Sequence, residues 1–343
     1  MVDINRREVL KLIDTGVVPI PQAPADFDPA AVGTLRPAPT PLVTSLSHGA
    51  DFALEGHEVR WQRWRLHVRL DIRVGPVVSL VRYDDHSTLR SILYQGSLSE
   101  LFVPYMDPDT GWYFRTYMDA GEYGVGKFTP PLQVGVDCPA YATYMEAVLA
   151  DDKGVPSSQP NAVCLFERTA GDIGWRHFEI AHGQTESRRG RELVMRYIAA
   201  IGNYDYFFDW VFRQDGSINI AVGTSGIEQV QAVTAPVMAE AQPTEDLAYG
   251  HLVAPHTLAI HHDHFFNFRL DLSVDSTQNS LLIGELTPVA LGLESPRRST
   301  YTVRSRVAKT EQEAKLHVST DRPALWRVIN PQRSGPLGFR GYH

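Results

Sequence analysis

The chain has 343 residues, 43% hydrophobic and 21% charged, the balance of an ordinary soluble globular protein with room for one large domain or two. Its net charge of −8 argues against nucleic acid or an anionic membrane as the main partner, because phosphate recognition relies on basic surface. No apolar run approaches the roughly 18 residues of a membrane span, and residues 1–14 carry Arg6, Arg7 and Glu8 without the apolar core of a signal peptide. The expected location is the cytoplasm.

In chain order, residues 4–14 place Val9, Leu10 and Ile13 at helical spacing, which predicts a short amphipathic helix ended by Gly16. Pro19, Pro21, Pro24, Pro29, Pro37, Pro39 and Pro41 come next. Proline denies both helix and central strand, so this stretch predicts an extended arm laid over a surface. The expected organisation is therefore a helix and arm over 1–42 and one domain over 43–343. From residue 64, Trp64, Leu66, Val68, Leu70, Ile72 and Val74 alternate with Arg65, His67, Arg69, Asp71 and Arg73, a strand with one buried and one polar face. Similar alternation recurs at 193–199, 208–212, 218–222 and 266–272, and Asp215-Gly216 marks a hairpin turn between two of these runs. Residues 97–102 are the best short helix candidate after the start. Many strands without strand–helix alternation predict a mainly β fold, a large antiparallel β-sandwich.

Three segments could carry chemistry. In 261–272, HHDHFFNFRLDL, residues two apart share a face of a strand, so His262 and His264 project together with Phe266, Phe268 and Leu270 as an apolar stripe. Paired imidazoles suit copper or zinc, although a His-x-His can also be plain surface. A third ligand is expected, and His251, His256, His317 and His343 show no pattern that selects one; His261 belongs to the opposite face. The second segment, IGNYDYFFDWVF at 201–212, reads by itself as an aromatic core strand containing Tyr204. The third, 103–126, has Gly121, Gly124 and Gly126 just after Asp119, which either caps a turn or, if buried, acts as a general base with a raised pKa. For a cytoplasmic chain, Cys138 and Cys164 read as two separate reduced thiols.

Taken together and in this order, the segments resemble the catalytic domain of copper amine oxidases. The family's Asn-Tyr-Asp/Glu motif, whose tyrosine becomes topaquinone, matches Asn203-Tyr204-Asp205, and its His-x-His copper pair matches His262 and His264. The family's Tyr-x-Asp-x-Gly-Glu-Tyr-Gly segment matches Tyr117, Asp119, Gly121, Glu122, Tyr123 and Gly124, and a Val-Pro-Tyr motif matches Tyr105. The segments PNAVCLFER, AVLADDKGVP and YGHLVAP also look like the family, so the resemblance covers roughly residues 16–342. Ala200 departs from it, standing where a threonine usually begins the cofactor motif.

The resemblance implies a role for each matched residue. Asp119 is the catalytic base, Tyr105 hydrogen-bonds the quinone oxygen, Asn203 helps hold the ring and Tyr117 lines the substrate channel. It implies copper(II) and the topaquinone made from Tyr204 as the cofactors, and a disulfide joining Cys138 to Cys164. Asp271-Leu272 resembles part of a peripheral calcium site, but Ser273 stands where the family often has another aspartate, which argues against calcium. The implied reaction converts a primary amine and O2 to an aldehyde, ammonia and hydrogen peroxide. Because the family's third copper histidine lies beyond the matched stretch, the expectation is a split enzyme. This chain is then the cofactor-bearing subunit, a second polypeptide supplies the remaining strands and the histidine, and such pairs assemble as dimers. The alternative is a non-catalytic β-sandwich serving as a scaffold or binding subunit.

Overall fold

In the computed structural model the described residues are 1–343 except 15, 21–26, 152, 170, 172, 240–246, 318, 336–337 and 339–343. They form two compact units, the first from residues 1–51, 69–76 and 97–268 and the second from 52–68, 77–96 and 269–343. The fold is mainly β and antiparallel, as the strand patterns predict. No helix of the described residues is long and apolar enough to cross a membrane.

The first unit is organised by a five-stranded antiparallel sheet in the order Ile218–Gly226, Tyr204–Arg213, Glu192–Ile201, Pro156–Arg168, Thr143–Ala150. The alternation predicted for 193–199 and 208–212 underestimates burial. Leu193, Met195 and Tyr197 on one face and Val194 and Ile198 on the other are all buried, so the middle of the sheet is covered on both sides. The charge in that interior is paired: Arg196 lies directly across from Asp209 and donates to both of its carboxylate oxygens at 2.7 and 2.8 Å. Arg213 and Ser217 close the hairpin around Asp215-Gly216 as expected.

Cys138 and Cys164 form a disulfide with an S–S distance of 2.13 Å, packed among Leu132, Phe166, Val194, Ile198 and Val211. The bridge closes a loop of sequence separation 26. Converting both residues to serine is expected to lower the unfolding free energy by about 3 kcal/mol, mostly by freeing the unfolded chain. A denaturant melt that does not move would show that the bridge restrains nothing.

The second unit contains a meander of Phe52–Glu55, Glu58–Trp61 and the strand that starts at Trp64, with Val59, Trp61, Trp64, Leu66 and Val68 buried. A second sheet orders Ser299–Ala308, Ser280–Ala290 and Ala324–Ile329, and here Tyr301, Val303, Leu325 and Trp326 are exposed.

Three expectations are corrected. Residues 4–14 form no helix: Val2–Asp3 pairs with Glu8–Val9, and the Asp3 carboxylate accepts the N–H groups of Asn5 and Arg6, each at 2.9 Å. That local turn competes with the first helical turn, and the exposed Val9 and Leu10 have no packing partner to tip the balance. Residues 97–102 lie inside the strand Thr88–Pro104, where pairing of Phe102 with Met118 and Val103 with Tyr117 overrides local helical preference. Among the described residues of the proline-rich arm there is one helical turn, Pro29–Val32, capped by Asp28. The arm's apolar Val17, Leu35 and Leu42 are exposed rather than packed on a surface. Pro21 and Pro24 lie outside the described residues.

Candidate active site

Tyr204 is placed by a turn. Ile201 pairs with Tyr204, leaving Gly202-Asn203 as a two-residue hairpin loop with Gly202 at φ 60° in its first position, where a II′ turn favours glycine. On the other side Tyr204 pairs with Gly226, which has φ 120°. A Cβ there would lie 2.2 Å from the Asn203 carbonyl oxygen, so only glycine allows this closeness. Tyr204 thus opens its strand at the end of the sheet, and the exposed Asn203 contributes the turn beside it.

Its hydroxyl is a hub. It lies 2.9 Å from His262 Nε2, 3.3 Å from the Tyr105 hydroxyl, and accepts the Gln229 N–H at 3.3 Å. His262 Nδ1–H donates to the Ile260 carbonyl at 2.8 Å, so Nε2 carries the lone pair and accepts from Tyr204. Tyr105 then donates to the Tyr204 oxygen, and burial raises its pKa further, which keeps it a donor. Tyr105 also stacks on His262, with ring centroids 4.3 Å apart and planes 18° apart. Backbone pairing enforces that stack: Tyr105 bridges His262, and Met106 N–H donates to the His261 carbonyl at 3.0 Å.

His262 and His264 precede the strand Phe265–Leu272 rather than lying in it, yet the predicted alternation holds. Their rings are 4.9 Å apart, whereas Asp263 between them is exposed. Phe266 and Phe268 continue their side and meet Tyr206, Phe208 and Trp210 edge-on. The apolar stripe ends there, since Leu270 is 47% exposed. Burial first, and then the neighbouring His262, push the His264 pKa down to about 4, so its imidazole is neutral at pH 7.

A 380 Å³ cavity opens beside Tyr204, lined by Tyr105, Tyr117, Asp119, Asn203 and Tyr206 together with apolar Val103, Ile201 and Phe128. Asp119 begins a tight turn, Asp119–Tyr123, closed by Gly124 N–H donating to the Asp119 carbonyl at 2.9 Å. The next residues press against Asp71–Arg73: Val125 N–H donates to the Arg73 carbonyl at 2.7 Å. A Cβ on Gly126 would lie 1.8 Å from the Asp71 carbonyl oxygen. Gly126→Ala is therefore expected to destabilise the chain by about 4 kcal/mol or more, the range of severe backbone overpacking. A thermal melt within a degree or two of wild type would show that the turn can yield.

The turn leaves Asp119 only 4% exposed. Burial is the largest cause that raises its pKa, to about 6, with the charges of Glu100 and Glu122 adding to it and a hydrogen bond from Tyr206 opposing. Tyr206 is a site residue that the sequence patterns do not single out. Its hydroxyl donates to Asp119 Oδ2 at 3.3 Å and lies 3.1 Å from His264 Nδ1, so one phenol joins the carboxylate to the second histidine. With its proton given to Asp119, Tyr206 accepts from His264 Nδ1–H, and His264 Nε2 is left with its lone pair. A signal does exist: Tyr206 is two residues beyond Tyr204 and therefore on the same face of its strand.

Two imidazoles, each with Nε2 as the lone-pair nitrogen, fit a borderline metal such as Cu(II). Among the described residues no third His, Cys, Asp or Glu joins them in a metal-holding cluster. His256 is half-buried and hydrogen-bonded to the Thr234 carbonyl, and His251 sits against His261. His317 belongs to the second unit, and His343 lies outside the described residues. Asp271 pairs with Arg269, and the Ser273 hydroxyl lies 2.8 Å from that of Ser91.

Comparison with known proteins places the chain in a family. The family profile described as the copper amine oxidase enzyme domain matches residues 53–342. The chain is 40% identical over 318 residues to a primary amine oxidase of Klebsiella aerogenes, covering 92% of this chain and 41% of that protein. It is 39% identical over 356 residues to the copper-containing amine oxidase gamma 1 of Arabidopsis thaliana, covering 99% and 50% respectively. Its fold is similar to that of a copper-containing benzylamine oxidase from Hansenula polymorpha, with a TM-score of 0.82, 26% identity and coverage of 92% of this chain and 48% of that one. The chain spans about half the length of the curated relatives it matches. With Tyr204 and the buried Asp119 lining one cavity, the histidine pair set against Tyr204, and a family profile covering most of the sequence, this chain belongs to the copper amine oxidase family.

Proposed function

We propose that the chain carries the cofactor-forming half of an amine oxidase site, at which a primary amine, O2 and water become an aldehyde, ammonia and hydrogen peroxide. The observation that carries this reading is the convergence of Tyr204, Tyr105 and His262 on one phenolic oxygen, with a buried aspartate lining the same cavity. Copper held by His262 and His264, with a further ligand, and the topaquinone formed from Tyr204 would supply the electron acceptor. The protein's own residues supply the rest. Asp119, held by Tyr206, takes the proton from the carbon next to the amine nitrogen. Tyr105 holds the Tyr204 oxygen in one orientation, and Tyr117 and Phe128 line the approach with aromatic surface.

We further propose that a second polypeptide supplies the third ligand and additional strands, in a dimer of such pairs. Two observations support this: the ligand set is incomplete among the described residues, and Tyr301, Val303, Leu325 and Trp326 leave apolar side chains exposed on one three-stranded sheet. A cytoplasmic location is proposed with it; the disulfide runs against a reducing compartment, so thiol titration of freshly isolated protein bears on it directly.

Intact mass of the chain, purified with whatever accompanies it, tests the central reading. A gain of two oxygens and a loss of two hydrogens on the peptide containing Tyr204 is expected, together with peroxide release on adding an amine. An unmodified tyrosine in the copper-loaded complex would favour the scaffold alternative, to which the incomplete ligand set also points. Full activity from this chain by itself would overturn the split arrangement.

A further inference from the structure

Glu100 stands outside the chemistry of Tyr204 and its histidines, yet it touches the turn that carries the base. It lies near the end of the strand Thr88–Pro104, and its Oε1 accepts three backbone N–H groups: Ala120 at 2.8 Å, Leu101 at 3.0 Å and Gly121 at 3.3 Å. Ala120 and Gly121 directly follow Asp119, and Met118, the residue before that turn, offers no side-chain cap. The second carboxylate oxygen lies against the turn as well: a Cβ on Gly121 would be 3.0 Å from Glu100 Oε2. Tight turns leave amide groups without a backbone acceptor, and unmet amides in a partly buried turn let it open. Here one carboxylate satisfies two of them and stands behind the base.

We propose that Glu100 is a positioning residue, clamping the Asp119 turn through the Ala120 and Gly121 amides so that Asp119 faces the cavity, while placing a negative charge next to the base. Its consequence for catalysis rests on the amine oxidase reading. The groups around Asp119 come from every side. Glu100 approaches from the strand, Glu122 and Tyr123 belong to the turn itself, and Tyr206 comes from the Tyr204–Arg213 strand. Arg73 lies on the Asp71–Arg73 side, its guanidinium 3.9 Å from where a Gly121 Cβ would be. Of these, Glu100 is the one whose charged group itself accepts the N–H groups of the two residues directly following Asp119. Two carboxylates close together disfavour ionisation of the more buried one, so Glu100 both holds the base and keeps its proton affinity high.

Glu100→Gln retains an acceptor oxygen and removes the charge. With aspartate carboxyl carbons labelled, and the Asp119 signal assigned by its loss in Asp119→Asn, the titration midpoint of Asp119 is expected to fall by roughly half a unit in Glu100→Gln. The measurement uses the full chain with any accompanying polypeptide and needs no turnover. A midpoint that stays in place overturns the proposal. Should Glu100→Gln fail to fold, Glu100→Asp keeps the charge but is one methylene too short for the clamp. In that variant, amide exchange at Ala120 and Gly121 is expected to quicken about tenfold as the turn opens locally, and unchanged exchange overturns the proposal equally. If the midpoint moves but wild-type protein oxidises no amine, the clamp stands and the catalytic reading falls.

Discussion

Tyr204→Phe is expected to abolish amine-dependent peroxide formation while leaving a folded chain. Three groups meet at the Tyr204 oxygen, from Tyr105, His262 and Gln229. Removing it leaves the buried Tyr105 hydroxyl without its acceptor and the Gln229 amide without its partner, an expected loss of about 1–3 kcal/mol of stability. The ring still fills its place against His264, with centroids 4.8 Å apart, so the sheet end should keep its packing. The functional loss should be complete, because phenylalanine has no oxygen from which the quinone can be built, and no visible absorption should develop when copper and O2 are added. Metal uptake should survive, since the substitution leaves His262 Nε2 with its lone pair and no hydroxyl to compete for it. Turnover above background in Tyr204→Phe would remove Tyr204 from the chemistry. Loss of copper binding would instead assign the phenol to the metal site.

The residues behind that experiment are legible in the sequence to different degrees. His262 and His264 can be read because alternation survives even where the backbone leaves regular strand geometry, and Tyr204 because its neighbours match a family motif. Asp119 is legible from the glycines that come after it, of which Gly126 approaches Asp71 too closely for any side chain. Tyr206 escapes because an aromatic strand interior gives no sign of which hydroxyl will find partners, and its two partners are 87 and 58 residues distant. Glu100 escapes for the opposite reason, standing in a segment whose local pattern suggests a helix. The amides it accepts belong to a turn positioned by the pairing of residues 102–104 with 116–118, which local pattern does not show. At the N-terminus, apolar spacing points to a helix, and a single aspartate just before the turn, Asp3, supplies the competing hydrogen bonds. In the central sheet, Arg196 and Asp209 look like solvent-facing residues in the alternation, and their mutual pairing is what allows both faces to be covered. Period and composition report local preference, whereas paired charges and distant hydroxyls are decided by which strands become neighbours.

Asp119→Asn should separate catalysis from cofactor formation. Loss of a positioned general base is expected to lower kcat by roughly a hundred- to ten-thousand-fold. Asp119 has no hydrogen bond to Tyr204, so the Tyr204-containing peptide should still show its mass gain. The pH dependence is set by the raised pKa of about 6. In wild type the base is competent only when ionised, so kcat/KM should fall tenfold per unit as pH drops below about 6 and level off above it, apart from a separate limb set by protonation of the amine. The asparagine variant should lack the lower limb. Stability should move the opposite way. A carboxyl whose folded-state pKa lies above its unfolded value favours folding fully below the unfolded pKa and loses that contribution as pH rises through about 6. Two units correspond to roughly 3 kcal/mol, so at pH 8 the variant should be more stable than wild type by up to that amount, with the difference vanishing towards pH 4. A variant that loses activity and is also less stable at pH 8 would show that Asp119 serves the turn rather than the chemistry. A more stable, inactive and quinone-bearing variant is the result expected of a base held ionised in a buried site at the expense of the fold.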